Sequence, residues 1–135
     1  MSVIVLALNL LAAAGLLAVA LKYLTGPAPA AYHASMFEKA DAPLKEIHVD
    51  VLRALYRNMG AAFLALTVAL AALAWFAGEA MWGRIAIIVI GLIAGFVSTI
   101  STYSMEKKTG VGTPWRAAAV IVVLLVVAFV LSFVA

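Results

Sequence analysis

The sequence contains no cysteine and only two histidines among its 135 residues. Without cysteine the chain can form no disulfide, thiolate metal site or catalytic thiol. Charged residues are also scarce, at 11% of the chain, whereas about 25% is usual for a soluble domain. Hydrophobic residues make up 67%, so a water-soluble fold of this length could not cover its surface with polar side chains. The composition therefore predicts an integral membrane protein.

Four apolar stretches are long enough to cross a bilayer, because about 20 helical residues span its ~30 Å hydrocarbon core. They predict one all-α domain over residues 1–135, a polytopic membrane protein with a four-transmembrane-helix bundle. The predicted spans cover about residues 3–24, 52–77, 84–104 and 114–134. A retained first span is favoured over a cleaved signal peptide, because no basic residue precedes it and Lys22 follows its apolar run.

The ends of these spans carry residue types that are typical of helix ends and of membrane interfaces. Gly78 is suited to end the second span in a left-handed turn, because it has no Cβ to clash. Thr113 and Pro114 are predicted to cap the start of the fourth span. Amphipathic rings favour headgroup depth and predict two aromatic belts. The first belt contains Tyr23, Tyr56, Tyr103 and Trp115, and the second contains Trp75, Phe76, Met81 and Trp82.

Basic residues predict the orientation of the chain in the membrane, since they are enriched in cytoplasmic loops. Only Arg84 falls on the side of the loop between the second and third spans. All other basic residues flank the first or third loop: Lys22, Lys39, Lys45, Arg53, Arg57, Lys107, Lys108 and Arg116. The distribution predicts that the loop between spans 1 and 2 and the loop between spans 3 and 4 are cytoplasmic, with both termini outside.

The first loop is too long to be a simple connection, since loops between bundle helices usually have about 2–8 residues. Residues 30–40 predict a short amphipathic helix lying along the cytoplasmic membrane surface. Asp41, Ala42 and Pro43 are typical of a helix start. We expect the helix that begins there to continue without a break into the second span and to project into the cytoplasm.

Polar side chains concentrate on this loop and on the projecting helix. The candidate ligand-binding or partner-binding residues are Tyr32, His33, Glu46, His48, Asp50, Arg53, Arg57 and Asn58. Four of them, Glu46, Asp50, Arg53 and Arg57, share one helix face through their 4-3-4 spacing. That face is interpreted either as a site for a polar ligand or headgroup, or as a salt-bridged surface that keeps the projection soluble.

Other chemistries find little support in the sequence. His33 and His48 with Glu46 and Asp50 match no metal-ligand spacing, so neither a metal nor a cofactor is predicted. The serines of the third span have no histidine or acid near them in sequence, so no catalytic residue is predicted. The spans carry no charge at mid-membrane, which argues against proton-coupled transport and against a pore within one subunit. Nucleic-acid binding is not expected, because no basic face is free of acidic neighbours.

The third span has a stripe of small and hydroxyl residues that predicts close helix packing: Gly91, Gly95, Ser98 and Thr102. The packing partner is either another span of this chain or another subunit. Packing within the chain is slightly favoured, because residues 12–15 of the first span offer a matching small surface.

Three short features resemble a group of uncharacterised small bacterial four-span inner-membrane proteins. These are Tyr32-His33, Arg57 three residues before Gly60, and Thr113-Pro114-Trp115. The general layout also resembles that of DoxX-like four-helix membrane proteins. This resemblance implies a bacterial inner (plasma) membrane location and supplies no activity.

The leading functional hypothesis is a non-enzymatic membrane protein that binds a lipid-like molecule or a membrane-protein partner. Its expected partners are membrane lipids, further copies of the chain or a larger membrane complex. One alternative is a small membrane enzyme or a redox or metal-binding subunit with its site at the cytoplasmic interface. Another is an oligomeric channel or transporter, with Gly91 and Gly95 facing a symmetry axis.

Overall fold

A computed structural model describes residues 2–134 as five α-helices, with no strand in that range. The helices are α1 (Val3–Thr25), α2 (Ala31–Lys39), α3 (Glu46–Phe76), α4 (Met81–Thr109) and α5 (Trp115–Leu131). The predicted all-α fold is confirmed, and α2 matches the short helix expected in the first loop. The first and last residues of the predicted domain lie outside the described residues.

The surface of the bundle is strongly apolar. Helices α1, α3 and α4 are long and apolar enough to cross a membrane, whereas α5 is a shorter apolar helix of 17 residues. Large apolar side chains face outward along them; Val68, for example, is 62% exposed and Phe76 is 86% exposed. A water-soluble monomer rarely exposes such a large contiguous apolar surface. The chain is therefore a membrane-embedded helical protein.

The helices pack in the order α3, α1, α5, α4 around the bundle. Helix α1 packs mainly on α3 and α5, α4 packs mainly on α5, and α3 touches α4 much less. A cluster of buried apolar residues holds the four together: Ala12, Ala13, Leu16, Leu70, Ala74, Ile87, Ile88 and Leu125. The α3 and α4 members of this cluster lie towards the short turn that joins the two helices. We call this end, near residues 77–80, the closed end, and the opposite end, where α1 and α4 finish, the open end.

The start of α3 differs from the prediction. The helix begins at Glu46 rather than near Pro43, and His48 Nδ1 accepts a hydrogen bond from the Lys45 N–H at 3.2 Å. Asp41 has a left-handed φ of 48° and ends α2 instead of starting α3. The Ala42 N–H donates to the Phe37 carbonyl at 3.0 Å, which is the closing bond of a helix C-terminal Schellman turn.

Two further predictions about helix ends are wrong. Helix α3 ends at Phe76 with Ala77 as its C-cap, and among residues 2–134 the glycine with a positive φ is Gly110, not Gly78. Gly110 ends α4. The Thr113 hydroxyl does not cap α5, because it donates to the Thr102 carbonyl at 3.0 Å. It ties the loop between α4 and α5 back onto α4.

Candidate functional site

A cavity, here called the apolar groove, lies between four helices towards the open end. It has a volume of about 190 Å³, and α1, α3, α4 and α5 all contribute to its walls. Its lining includes Leu16, Val19, Lys22, Tyr23, Met59, Phe63, Leu66, Ile90, Ala94, Gly95, Ser98, Ser101, Thr102, Ala117, Ala118 and Ile121. Met59 of α3, Ser101 of α4 and Ala117 of α5 are exposed among its lining residues, so the groove is not enclosed.

The small-residue stripe of α4 packs closely against a neighbouring helix beside the groove. A Cβ on Gly91 would overlap the end of the Leu125 side chain, and one on Gly95 would overlap the end of Val122. Both glycines therefore pack against α5, not against residues 12–15 of α1 as the sequence suggested. The hydroxyl of Thr102 bonds within its own helix, donating to the Ser98 carbonyl at 2.6 Å. It adds no bond between helices.

A second cavity, here called the tyrosine pocket, lies at the open end between α1, α2 and α3. Its volume is about 230 Å³, and it is lined by Lys22, Tyr23, Pro27, Ala30, Ala31, Tyr32 and Tyr56. The hydroxyls of Tyr23 and Tyr32 share a hydrogen bond of 2.5 Å. The rings of Tyr23 and Tyr56 meet edge to face with centroids 5.1 Å apart. Two of the tyrosine hydroxyls are thus joined in this pocket, and Tyr56 contacts Tyr23 through its ring.

His33 attaches α2 to α3 beside this pocket. Its Nδ1 is hydrogen-bonded to the Tyr56 hydroxyl, which also accepts the Ala30 N–H at 3.2 Å. A phenol has one proton and two lone pairs, so while it accepts from Ala30 it can either donate to an unprotonated Nδ1 or accept from Nδ1–H. Burial lowers the pKa of His33, and the nearby charge of Lys22 lowers it further. Burial and the hydrogen bond with Tyr23 raise the pKa of Tyr32, so both side chains are uncharged at neutral pH.

Lys22 lies where the two cavities meet, since it lines both. Its ammonium group is 5.0 Å from the centroid of the Tyr32 ring. Within residues 2–134 no carboxylate forms an ion pair with it. Lys22 is itself exposed, and a cation without an ion-pair partner beside two apolar cavities favours an anionic group at this position.

The candidate residues predicted from sequence separate into two sets. Tyr32 and His33 join Tyr23 and Tyr56 at the tyrosine pocket, as described above. The remaining six are exposed on α3 and line neither cavity: Glu46, His48, Asp50, Arg53, Arg57 and Asn58. The Asp50 carboxylate accepts a bond from Arg53 at 2.7 Å, with both side chains about half exposed. This contact is of the kind expected for a salt-bridged surface, and both interpretations of that helix face stay predictions.

No group of three or more histidine, aspartate or glutamate side chains is placed to hold a metal ion within residues 2–134. His33 and His48 have different roles in the chain, since one contacts Tyr56 and the other accepts a bond at the start of α3. The sequence prediction missed Lys22, Tyr23 and Tyr56 as site residues. The two tyrosines were expected only as an interfacial belt, and their position at matching ends of neighbouring spans was the available signal.

Comparison with protein-family models, with curated proteins and with solved structures finds no match to this chain.

Proposed function

We propose that this protein binds a lipid-like molecule in the apolar groove and has no catalytic role. The observation that supports this most directly is the opening of the groove. Its walls come from four helices, α1, α3, α4 and α5, and exposed residues are among those that line it. Concave sites lined mainly by apolar side chains are where apolar ligands bind, and this one is not enclosed, so a hydrocarbon chain of the surrounding bilayer can enter it.

The shape of the groove follows from the splay of α3 and α4. The two helices are joined by a short turn at the closed end, where the buried core is continuous. Towards the open end Phe63 of α3 and Ala94 of α4 still line a common cavity, but the gap between the helices is not filled by side chains. An apolar ligand would complete that half of the core, which is the energetic reason for binding.

Filling the groove should displace the ligand. Ala94→Phe adds a ring to the groove wall, and we expect it to lower the fraction of protein that carries bound lipid by about tenfold, equivalent to 1.4 kcal/mol. Native mass spectrometry of protein purified in a mild detergent measures this fraction. Ala65→Phe is the matched control, because Ala65 is exposed on α3 outside the groove.

Equal lipid occupancy in both phenylalanine variants and the unchanged protein would contradict the proposal. A second copy of the chain seated in the groove would instead be seen as a dimer that Ala94→Phe dissociates. Conductance or flux through liposomes that depends on Ala94 would favour the oligomeric channel.

We further propose four spans, α1, α3, α4 and α5, in a bacterial inner membrane, with both termini outside. Helix α5 has 17 residues and is about 26 Å long, which is close to the lower limit for crossing. Turn hydrogen bonds continue beyond it through Val134, whose N–H donates to Leu131 at 3.1 Å. These residues extend the apolar length of the helix.

The natural absence of cysteine allows the topology to be tested with single cysteines. With a membrane-impermeant maleimide we expect Glu79→Cys and Val134→Cys to react in intact spheroplasts. Gly112→Cys should react only after the membrane is opened, and a Cβ at Gly112 meets no atom within 4 Å. Labelling of Val134→Cys and Gly112→Cys from the same side would show that α5 does not cross.

A further inference from the structure

We propose that the molecule bound in the apolar groove is an anionic phospholipid whose phosphate is held by Lys22. This inference rests on the proposed function and specifies its ligand. It is drawn from the charges around the two cavities and from the position of Lys22 between them.

The charge around the cavities has one sign. Lys22 is the one charged side chain that lines either the apolar groove or the tyrosine pocket within the described part of the chain. No carboxylate lines either cavity, and none within residues 2–134 pairs with Lys22. A cationic ligand would therefore meet repulsion without any compensating group, and an anionic ligand would meet an unpaired cation.

On α1, the charge of Lys22 lies at one end of a row of apolar residues that face the groove. Leu16, Val19 and Lys22 all line the groove at successive three-residue intervals. Each interval corresponds to a rise of about 4.5 Å along the helix. If the phosphate of a lipid lies at Lys22, its hydrocarbon chain can run beside Val19 and Leu16 into the groove. The polar and apolar parts of the lipid would then lie in line, as they do in an extended amphiphile.

The tyrosine hydroxyls contribute less to this recognition than Lys22. The Tyr23 and Tyr32 hydroxyls bond to each other, and the Tyr56 hydroxyl is occupied by Ala30 and His33. The Tyr32 ring lies beneath the Lys22 ammonium and positions it through a cation–π contact. Removal of the Tyr32 hydroxyl should therefore leave phosphate recognition largely intact, because a phenylalanine ring keeps that contact.

Two lipids with identical chains separate recognition of the phosphate from recognition of the hydrocarbon. The probes are dioleoyl phosphatidylglycerol and dioleoylglycerol, titrated into detergent-purified protein and followed by native mass spectrometry. We expect the unchanged protein to bind the phospholipid about tenfold more tightly, as a charge-assisted hydrogen bond to phosphate provides. Lys22→Gln should abolish this preference without changing dioleoylglycerol binding, whereas Lys22→Arg and Tyr32→Phe should retain it.

Lys45→Gln is the matched control, because Lys45 is exposed at the start of α3 and lines neither cavity. It removes one positive charge and should leave the preference unchanged. The preference should also weaken as salt is raised, since ions screen an interfacial charge pair. Helicity by circular dichroism verifies that each variant is folded.

The outcomes distinguish this inference from the proposed function. Binding of both lipids with equal affinity would overturn the assignment of the phosphate to Lys22 and leave lipid binding standing. A phospholipid preference that survives in folded Lys22→Gln would overturn it as well. Failure of either lipid to bind, or binding that is insensitive to Ala94→Phe, would overturn the proposed function itself.

Discussion

Substituting Gly83 by alanine is expected to destabilise the bundle by about 1–3 kcal/mol, the range found for overpacked cores. A Cβ at this position would overlap the carbonyl oxygen of Ala77 and lie 2.7 Å from its carbonyl carbon. The obstructing atoms belong to the backbone that ends α3, so no side-chain rotation relieves the clash. Unfolding of the purified protein in mixed micelles, titrated with a denaturing detergent, measures the loss.

Alanine substitutions at other glycines give destabilisation values with which that of Gly83→Ala can be compared. A Cβ at Gly91 would meet mainly the flexible end of Leu125, so Gly91→Ala should cost less than Gly83→Ala. Gly112→Ala should change stability by less than about 0.5 kcal/mol, because nothing lies within 4 Å of the added atom. A Gly83→Ala protein as stable as Gly112→Ala would show that α3 and α4 are not packed so closely at the closed end.

Replacing Arg84 by methionine is expected to cost about 2–4 kcal/mol, because a hydrogen bond made by a charged group contributes about 1.5–3 kcal/mol net and two of the three bonds of Arg84 are partly buried. The guanidinium donates to three carbonyls: Nη1 to Ser132 at 2.6 Å, Nε to Gly78 at 3.0 Å, and Nη2 to Glu79 at 3.2 Å. It thereby joins the turn between α3 and α4 to the end of α5.

Arg84→Lys distinguishes the geometry of these bonds from the charge. A lysine keeps the positive charge but lacks the planar fork that reaches three acceptors in two segments, so it should recover less than half of the lost stability. Arg116→Met is a suitable control, because Arg116 is exposed and its guanidinium lies over the Trp115 ring at 4.9 Å. Full stability of Arg84→Lys in the same detergent titration would show that charge alone is required.

Hydropathy and periodicity predicted which segments are helical, because both depend on local residue type. The caps were less predictable. Asp41 followed by Ala42 and Pro43 suits a helix start, yet Asp41 can also adopt the left-handed conformation that ends a helix, as it does after α2. Lys45 and His48, two residue types that are uncommon in this role, form the start of α3 instead.

The packing partner of the glycine stripe and the position of the groove depend on how the helices are arranged, which local sequence patterns do not specify. The Gly91 and Gly95 stripe predicted a close approach of helices, but the identity of the partner depends on α5 lying between α1 and α4. The apolar groove was beyond prediction for a related reason. It exists where α3 and α4 fail to meet, and no residue type signals a missing contact. Lys22 became a candidate only once the two cavities were seen to share it.

The difference between the closed end and the open end has a consequence for where a ligand can come from. In the proposed orientation the closed end lies in the outer leaflet and the groove opens only in the cytoplasmic leaflet. A lipid already in the cytoplasmic leaflet can enter sideways, with its headgroup staying at the water interface. A lipid in the outer leaflet must first flip across the bilayer. The lipid bound by the protein would therefore reflect the composition of the cytoplasmic leaflet and not that of the outer leaflet.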